Sequence, residues 1–420
     1  MARWQTTAQL PTGTPMDSHI ISEIKGRAGL ITFNRARALN ALSLAMIRGL
    51  TAALLLWRDD PTVLVVGMRG MGKPASAGGA ETPFGAFCAG GDIRFFHRAA
   101  LAGNPELEDF FTEEYRLNHL VHGYPKPVVA FMDGVVMGGG MGIAQGASAR
   151  IVTERTKMAM PETDIGLFPD VGGGYFLSRC PGHLGEYLAL TGQVIDGPQA
   201  VAAGLADQAV AAQRLGNLWD ALADYGSAEA DTRFDELDAK DEHAADAGDS
   251  VRTVSANQLE PGRIDRYFGL PSMLAIVQAL EADAPTDGWA RDTAAALRRR
   301  SPLMLHVTLE QIRRARCMGA APGRSRNCVS RDSKHEAASL SLADDLRMER
   351  DLVRHCFHPA HLQRGGAATE VVEGIRALAV DKDHQPGWNP AHIEDVTPDL
   401  VAPFFESPWP AHAHPLRDLS

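Results

Sequence analysis

Residues 127–154 read PVVAFMDGVVMGGGMGIAQGASARIVTE. The run PVVAFMDGVV is apolar and rich in β-branched residues, as is ARIVTE, while GGGMGIAQGA between them has helix-compatible residues behind a glycine cluster. This order predicts a strand, a glycine-rich loop opening a helix, and a second strand. A helix start of this kind aims unpaired N–H groups and positive potential at whatever lies above it. The same alternation extends towards the N-terminus. HIISEI, LITFN and TVLVVGM are β-prone, Ser43 can cap a helix through LAMIRGLTAALLLWR, and helical stretches occupy 92–101 and 106–122. An α/β core over about 20–210 is therefore expected. From 211 to about 400 the pattern becomes mainly helical: LGNLWDALADY, PSMLAIVQAL, RDTAAALRRR, SPLMLHVTLEQIRRA and LADDLRMERDLVRHCF all carry helical spacing. Residues 1–19 and 401–420 read as tails, and 71–86 and 319–336 as loops.

Composition limits the function classes. Of the 420 residues, 45% are hydrophobic and 22% charged, ordinary for a globular protein. No apolar run approaches the ~18–20 residues of a membrane-spanning helix, and MARWQTTAQLPTGTPMDSHI lacks the apolar stretch of a secretory signal. A cytoplasmic location is expected, or the mitochondrial matrix in a eukaryote. A net charge of −11 argues against a nucleic-acid surface, and residues 229–249 concentrate it, with nine acids against Arg233 and Lys240. That stretch reads as a solvated segment. The five cysteines are odd in number and widely spaced, as expected of free thiols.

Three segments carry candidate chemistry: FCAGGDI at 87–93, MGGGMG at 137–142 and PETDIGLFPDVGGG at 161–174. Amides from the two glycine clusters, converging on one point, would form an oxyanion hole, in which each donor contributes on the order of 3 kcal/mol to the transition state. Alternatively the glycines only permit tight turns and close packing. Glu162 and Asp170, eight residues apart, read as a catalytic pair or as helix-start and helix-cap acids. In an apolar pocket, with Met160, Ile165, Leu167 and Phe168 as candidate walls, two such acids push one another's pKa upward. Other patterns fail on inspection. GGGMGIAQG has Gln145 where a dinucleotide loop needs glycine, GASAR lacks the last glycine of a nucleophile elbow, and neither His119 and His122 nor His355, His358 and His361 completes a metal site.

Taken in order, these segments resemble the crotonase (enoyl-CoA hydratase/isomerase) superfamily. The likeness runs from LITFNRARALNALS through FCAGGDI, EEYRLN, PKPVVAFMDGVVMGGGMG and PETDIGLFPDVGGG to EVVEGIRALAVDKDHQPGWNPA. It implies a crotonase-like ββα spiral core with a mainly helical C-terminal region. It also implies an acyl-CoA substrate whose thioester carbonyl lies between the N–H groups of Ala89 and Gly139. Gly90, Gly91, Asp92 and Gly138 would flank the substrate, and Arg37, Ala38 and Leu39 would lie along the CoA chain. Hydratases of the superfamily carry two glutamates. The second matches Glu162, but the first falls on Gly142, and an acid appears instead at Asp170. This pattern, with Glu114 in EEYRLN as a further substrate contact, is similar to the 3-hydroxyisobutyryl-CoA hydrolase subgroup. The resemblance thus implies hydrolysis of a short β-hydroxyacyl-CoA in valine breakdown, with Glu162 as nucleophile or acid/base and Asp170 as its partner. No metal or redox cofactor is implied, CoA arriving with the substrate. Neither a nucleic acid nor a membrane is implied as partner, and a homo-oligomer is left open. The rival readings are an enoyl-CoA hydratase or isomerase, and a non-catalytic acyl-CoA-binding protein.

Overall fold

The computed structural model describes residues 19–73, 82–226, 259–317 and 341–420. The acidic stretch 229–249, the loop 319–336, residues 1–18 and part of the 71–86 loop lie outside the described residues. The core is a six-stranded sheet in the order β1 (Ile20–Lys25), β2 (Ala28–Phe33), β3 (Val65–Gly70), β4 (Val128–Met132), β6 (Ala149–Val152) and β8 (Gln208–Ala209). Only the β1–β2 pair is antiparallel. Every residue of β2 and β4 is buried, as parallel strands covered on both faces require. One face carries the main core. On the other, helix Leu215–Ala221 lays Leu215, Leu218 and Trp219 against Leu30, Val65 and Phe131.

The run PVVAFMDGVV is two strands rather than the single one expected. Gly134 takes a left-handed φ of +60° and turns the chain after Met132. The Asp133 carboxylate behind the turn accepts from Thr153 Oγ1 at 2.6 Å and from Arg155. The second strand, β5 (Val135–Met137), leaves the main sheet and pairs with β7 (Lys157–Ala159). Cys88 then bridges to Val136, its N–H donating to the Val135 carbonyl and its carbonyl accepting from Met137 N–H. This small second sheet brings the two glycine clusters side by side and ends β7 just before Glu162.

Helices α1 (Leu44–Arg58, capped by Ser43), α2 (Ile93–Ala102) and α3 (Glu106–His122) form where helical spacing predicts them. The C-terminal helices do not form a separate body, since one apolar core runs from Ile20 to Leu416. Residues 401–420, read from sequence as a tail, are anchored to that core. Phe404 and Leu416 are buried, and Arg116 holds Asp418 through two hydrogen bonds of 2.6 and 2.9 Å. Leu416→Ala is therefore expected to cost about 2–4 kcal/mol in denaturant unfolding, whereas Leu56→Ala, at a 56% exposed site, costs under about 0.5. Equal effects of the two would mean that the segment is only a tail.

Candidate active site

Helix α3 buries one face made of Phe110, Phe111, Glu114, Tyr115 and Asn118. Glu114 is thus carried into the interior by its apolar neighbours rather than by a charged partner. Glu162 starts a single 3₁₀ turn, Glu162–Ile165, directly after β7, and Asp170 follows on the irregular segment before helix α5 (Gly173–Leu177). The three carboxyl groups line one cavity of about 200 Å³, with Phe96, Phe111, Ile165 and Leu167 among its apolar walls. Met160 and Phe168, expected as walls, are buried but lie outside this lining.

Neither acid serves as a local cap. The side chain of Asp170 accepts a 2.8 Å hydrogen bond from the Tyr115 hydroxyl, and Glu162 Oε2 has no partner. Glu114 Oε1 is likewise buried without one. Glu114 and Glu162 are held well above the ordinary carboxyl range, first by burial and then by the charge of Asp170. Burial raises Asp170 to about 7, against the opposing effect of the Tyr115 hydrogen bond.

Gly138 and Gly139 leave the space these acids occupy. A Cβ at Gly138 would meet Glu162 Oε1 at 2.8 Å, and one at Gly139 would meet Glu114 Oε1 at 2.3 Å. Gly139 is the first residue of helix α4 (Gly139–Gln145), so its N–H has no carbonyl one turn back. The other expected donor needs correction. The Ala89 N–H donates to the Leu39 carbonyl at 3.0 Å, and so is already engaged. Two residues on, Gly91 lines the cavity, and its N–H has no hydrogen-bond partner among the described residues.

The remaining expected contacts divide. Gly90 and Gly138 line the cavity, whereas Asp92 caps α2 through Phe95 N–H and pairs with Arg35 at 2.7 Å, a structural task. Arg37, Ala38 and Leu39 do not line the cavity. They form a 3₁₀ turn and its left-handed exit beside the glycine loop, with Arg37 and Leu39 exposed.

Sequence reasoning missed the groups that hold the Asp170 segment. Glu349, on helix Leu342–Phe357, accepts from Gly172 N–H (2.7 Å) and Gly174 N–H (2.9 Å), and Asp345 accepts from Tyr175 N–H (2.7 Å). Gln311 donates to the carbonyl of Pro169 and to Glu349. These contacts, with Asn118 donating to the Val171 carbonyl, hold Val171 at φ +58°, an uncommon state for a β-branched residue. One signal was present: Asp345 and Glu349, four apart, interrupt the apolar spacing of Leu342, Leu346 and Val353.

The comparisons with known proteins agree with this geometry. A family model described as enoyl-CoA hydratase/isomerase matches residues 28–405. The chain belongs to the enoyl-CoA hydratase/isomerase family. It is 36% identical over 394 residues to the mitochondrial 3-hydroxyisobutyryl-CoA hydrolase of Xenopus tropicalis, covering 94% of this chain and 90% of that one. It is also 36% identical to 3-hydroxyisobutyryl-CoA hydrolase 1 of Arabidopsis thaliana, covering 93% and 92% of the two chains. Among solved structures, a carnitinyl-CoA dehydratase from Mycobacterium thermoresistibile superposes with a TM-score of 0.74 at 32% identity, covering 96% of this chain and all of that one. The crotonase-type fold expected from the sequence is thereby established, helical C-terminal region included.

Position 142 is closed to a larger side chain. A Cβ on Gly142 would stand 2.5 Å from Val171 Cβ, and Asn118 Nδ2 closes in at 3.0 Å. No glutamate fits there without displacing the Asp170 segment.

The raised carboxyls make stability depend on pH. Asp170 keeps its proton in the fold up to about pH 7 but loses it near 4 in the unfolded chain, so the folded state binds more protons between those values. Stability therefore falls as pH rises through that window, by at most about 1.4 kcal/mol per unit for one group. Asp170→Asn removes this contribution. Unfolding midpoints of variant and wild type should diverge from pH 4 to 7, with the variant gaining; parallel curves would contradict it.

Proposed function

We propose that this protein hydrolyses the thioester of a short β-hydroxyacyl-CoA, foremost 3-hydroxyisobutyryl-CoA, to the free acid and CoA. The observation that carries the reading is Asp170 sharing the cavity with Glu162 while position 142 holds a glycine sealed by Val171. Water addition across a double bond, the enoyl-CoA hydratase reading, relies in the superfamily on a glutamate at position 142. The frog and plant relatives named for 3-hydroxyisobutyryl-CoA hydrolysis support the same choice over nearly the full chain.

The thioester carbonyl oxygen would sit between the N–H groups of Gly91 and Gly139, Gly91 replacing Ala89 as the first donor. Attack on the carbonyl carbon places negative charge on that oxygen, in a pocket already crowded with acids, so the two amides do their work as charge develops. Glu162, without a hydrogen-bond partner at Oε2, is the attacking group or the base that takes a proton from water. In the first case an acyl anhydride forms as CoA thiolate leaves, and water then opens it and regenerates the carboxylate. Asp170 and Glu114 are placed to engage the β-hydroxyl of the acyl group or the attacking water. The cavity of about 200 Å³ suits a short acyl group. No step draws on a metal or redox group. For a eukaryotic chain the compartment would be the mitochondrial matrix, in line with the frog relative's name, and otherwise the cytoplasm.

The test is free-thiol release from 3-hydroxyisobutyryl-CoA measured beside hydration of crotonyl-CoA. Thiol release is expected to dominate, and brisk hydration without thiol release would overturn the proposal. Asp170→Gly should slow thiol release by more than ~100-fold, the scale of lost acid–base assistance. An unchanged rate would remove Asp170 from the mechanism.

A further inference from the structure

Asp170 lines the cavity but Tyr115 does not, and the two meet behind it. Tyr115 is fully buried in the face that α3 turns inward, with its hydroxyl 2.8 Å from Asp170 Oδ2. The other titratable groups facing Asp170 are Glu114 from α3, Glu162 from the 3₁₀ turn, and Glu349 and Cys356 from helix Leu342–Phe357. Among the described residues none of these donates a hydrogen bond to it, and Tyr115 is its side-chain donor.

We propose that Tyr115 is a positioning residue for the hydrolytic site: its hydroxyl grips one oxygen of Asp170 and so presents the other to the acyl group or water. This rests on the hydrolase reading. A phenol at this place does two things that a phenylalanine cannot. It fixes the rotation of the carboxylate, and it stabilises the ionised form, because the donor bond strengthens when its acceptor is charged. Around it lie only acids and a thiol, all of which favour the neutral form of Asp170 when charged. The hydroxyl is thus the larger of the two contacts, ahead of Asp170's own backbone N–H, that keep Asp170 able to ionise in the neutral range. Glu349 and Gln311 hold the backbone on either side of Asp170; Tyr115 holds the side chain itself.

The experiment is the pH dependence of kcat/KM for thiol release by Tyr115→Phe, together with ¹³C-carboxyl NMR titration of Asp170, its signal assigned with Asp170→Asn. The variant should lose about 5-fold at pH 7, rising towards about 10-fold at pH 6, and recover most of it by pH 9, with the acid midpoint and the Asp170 titration both raised by about one pH unit. In an Asp170→Asn background the same change should cost less than about 2-fold, as expected of a group acting through Asp170. An equal loss at every pH with an unmoved titration, or the same loss in both backgrounds, would overturn the proposal. Should Tyr115→Phe not fold, 3,5-difluorotyrosine at position 115, a stronger donor on the same ring, must lower the Asp170 titration. If the wild type releases no thiol, the hydrolase reading fails, while the titration still decides the role of Tyr115.

Discussion

Three carboxyl groups, Glu114, Glu162 and Asp170, are buried around one cavity, and among the described residues none of them has an arginine or lysine as ion-pair partner. An isolated ionised carboxylate in such surroundings is costly, so the set retains protons that free carboxylic acids lose near pH 4. The compensating side chain among the described residues is neutral: the phenol of Tyr115, on Asp170. A site built this way holds its ground state under electrostatic tension. Negative charge appearing on a bound carbonyl oxygen would be repelled by whichever of the acids is ionised unless N–H donors meet it directly. This is why the position of two amides matters more here than in a site that already holds cations.

The tension is supported from outside the sheet. Glu349 and Asp345 take up the N–H groups at the start of α5, and Gln311 takes the carbonyl of Pro169, so the segment carrying Asp170 is held by two C-terminal helices in addition to its own turn. Those helices share one apolar core with the sheet. The loop carrying Asp170 and the C-terminal half are therefore a single mechanical unit, and the boundary near residue 211 marks a change of pattern rather than of body.

Much of this was legible in the sequence for simple reasons. The period of apolar residues fixed α1, α3 and the buried strands, and the glycine clusters announced amides at helix starts. What could not be read depended on distance through space. The break at Asp133–Gly134 is masked because the run is apolar on both sides, and the partners that fix it, Thr153, Arg155 and β7, lie some twenty residues further along the chain. Ala89 and Gly91 both sit in the same glycine loop, and the carbonyl of Leu39, fifty residues earlier in the chain, decides which amide is free. Tyr115 stood beside Glu114 in plain view, but its target lies 55 residues on. Asp345 and Glu349 carried a faint signal, as acids on an apolar stripe.

The contact between Gly142 and Val171 also constrains how this site could change over generations. With Val171 in place, a larger residue at 142 collides before it can contribute a carboxylate. Val171 itself sits at a left-handed φ that glycine adopts without strain. Glycine at 171 would relieve the backbone and remove the 2.5 Å contact in one step, leaving Asn118 Nδ2 at 3.0 Å as the remaining wall, whereas the reverse order passes through a clash. Geometry therefore constrains the order of the two substitutions, and Val171 acts as a latch that keeps position 142 closed to a larger side chain.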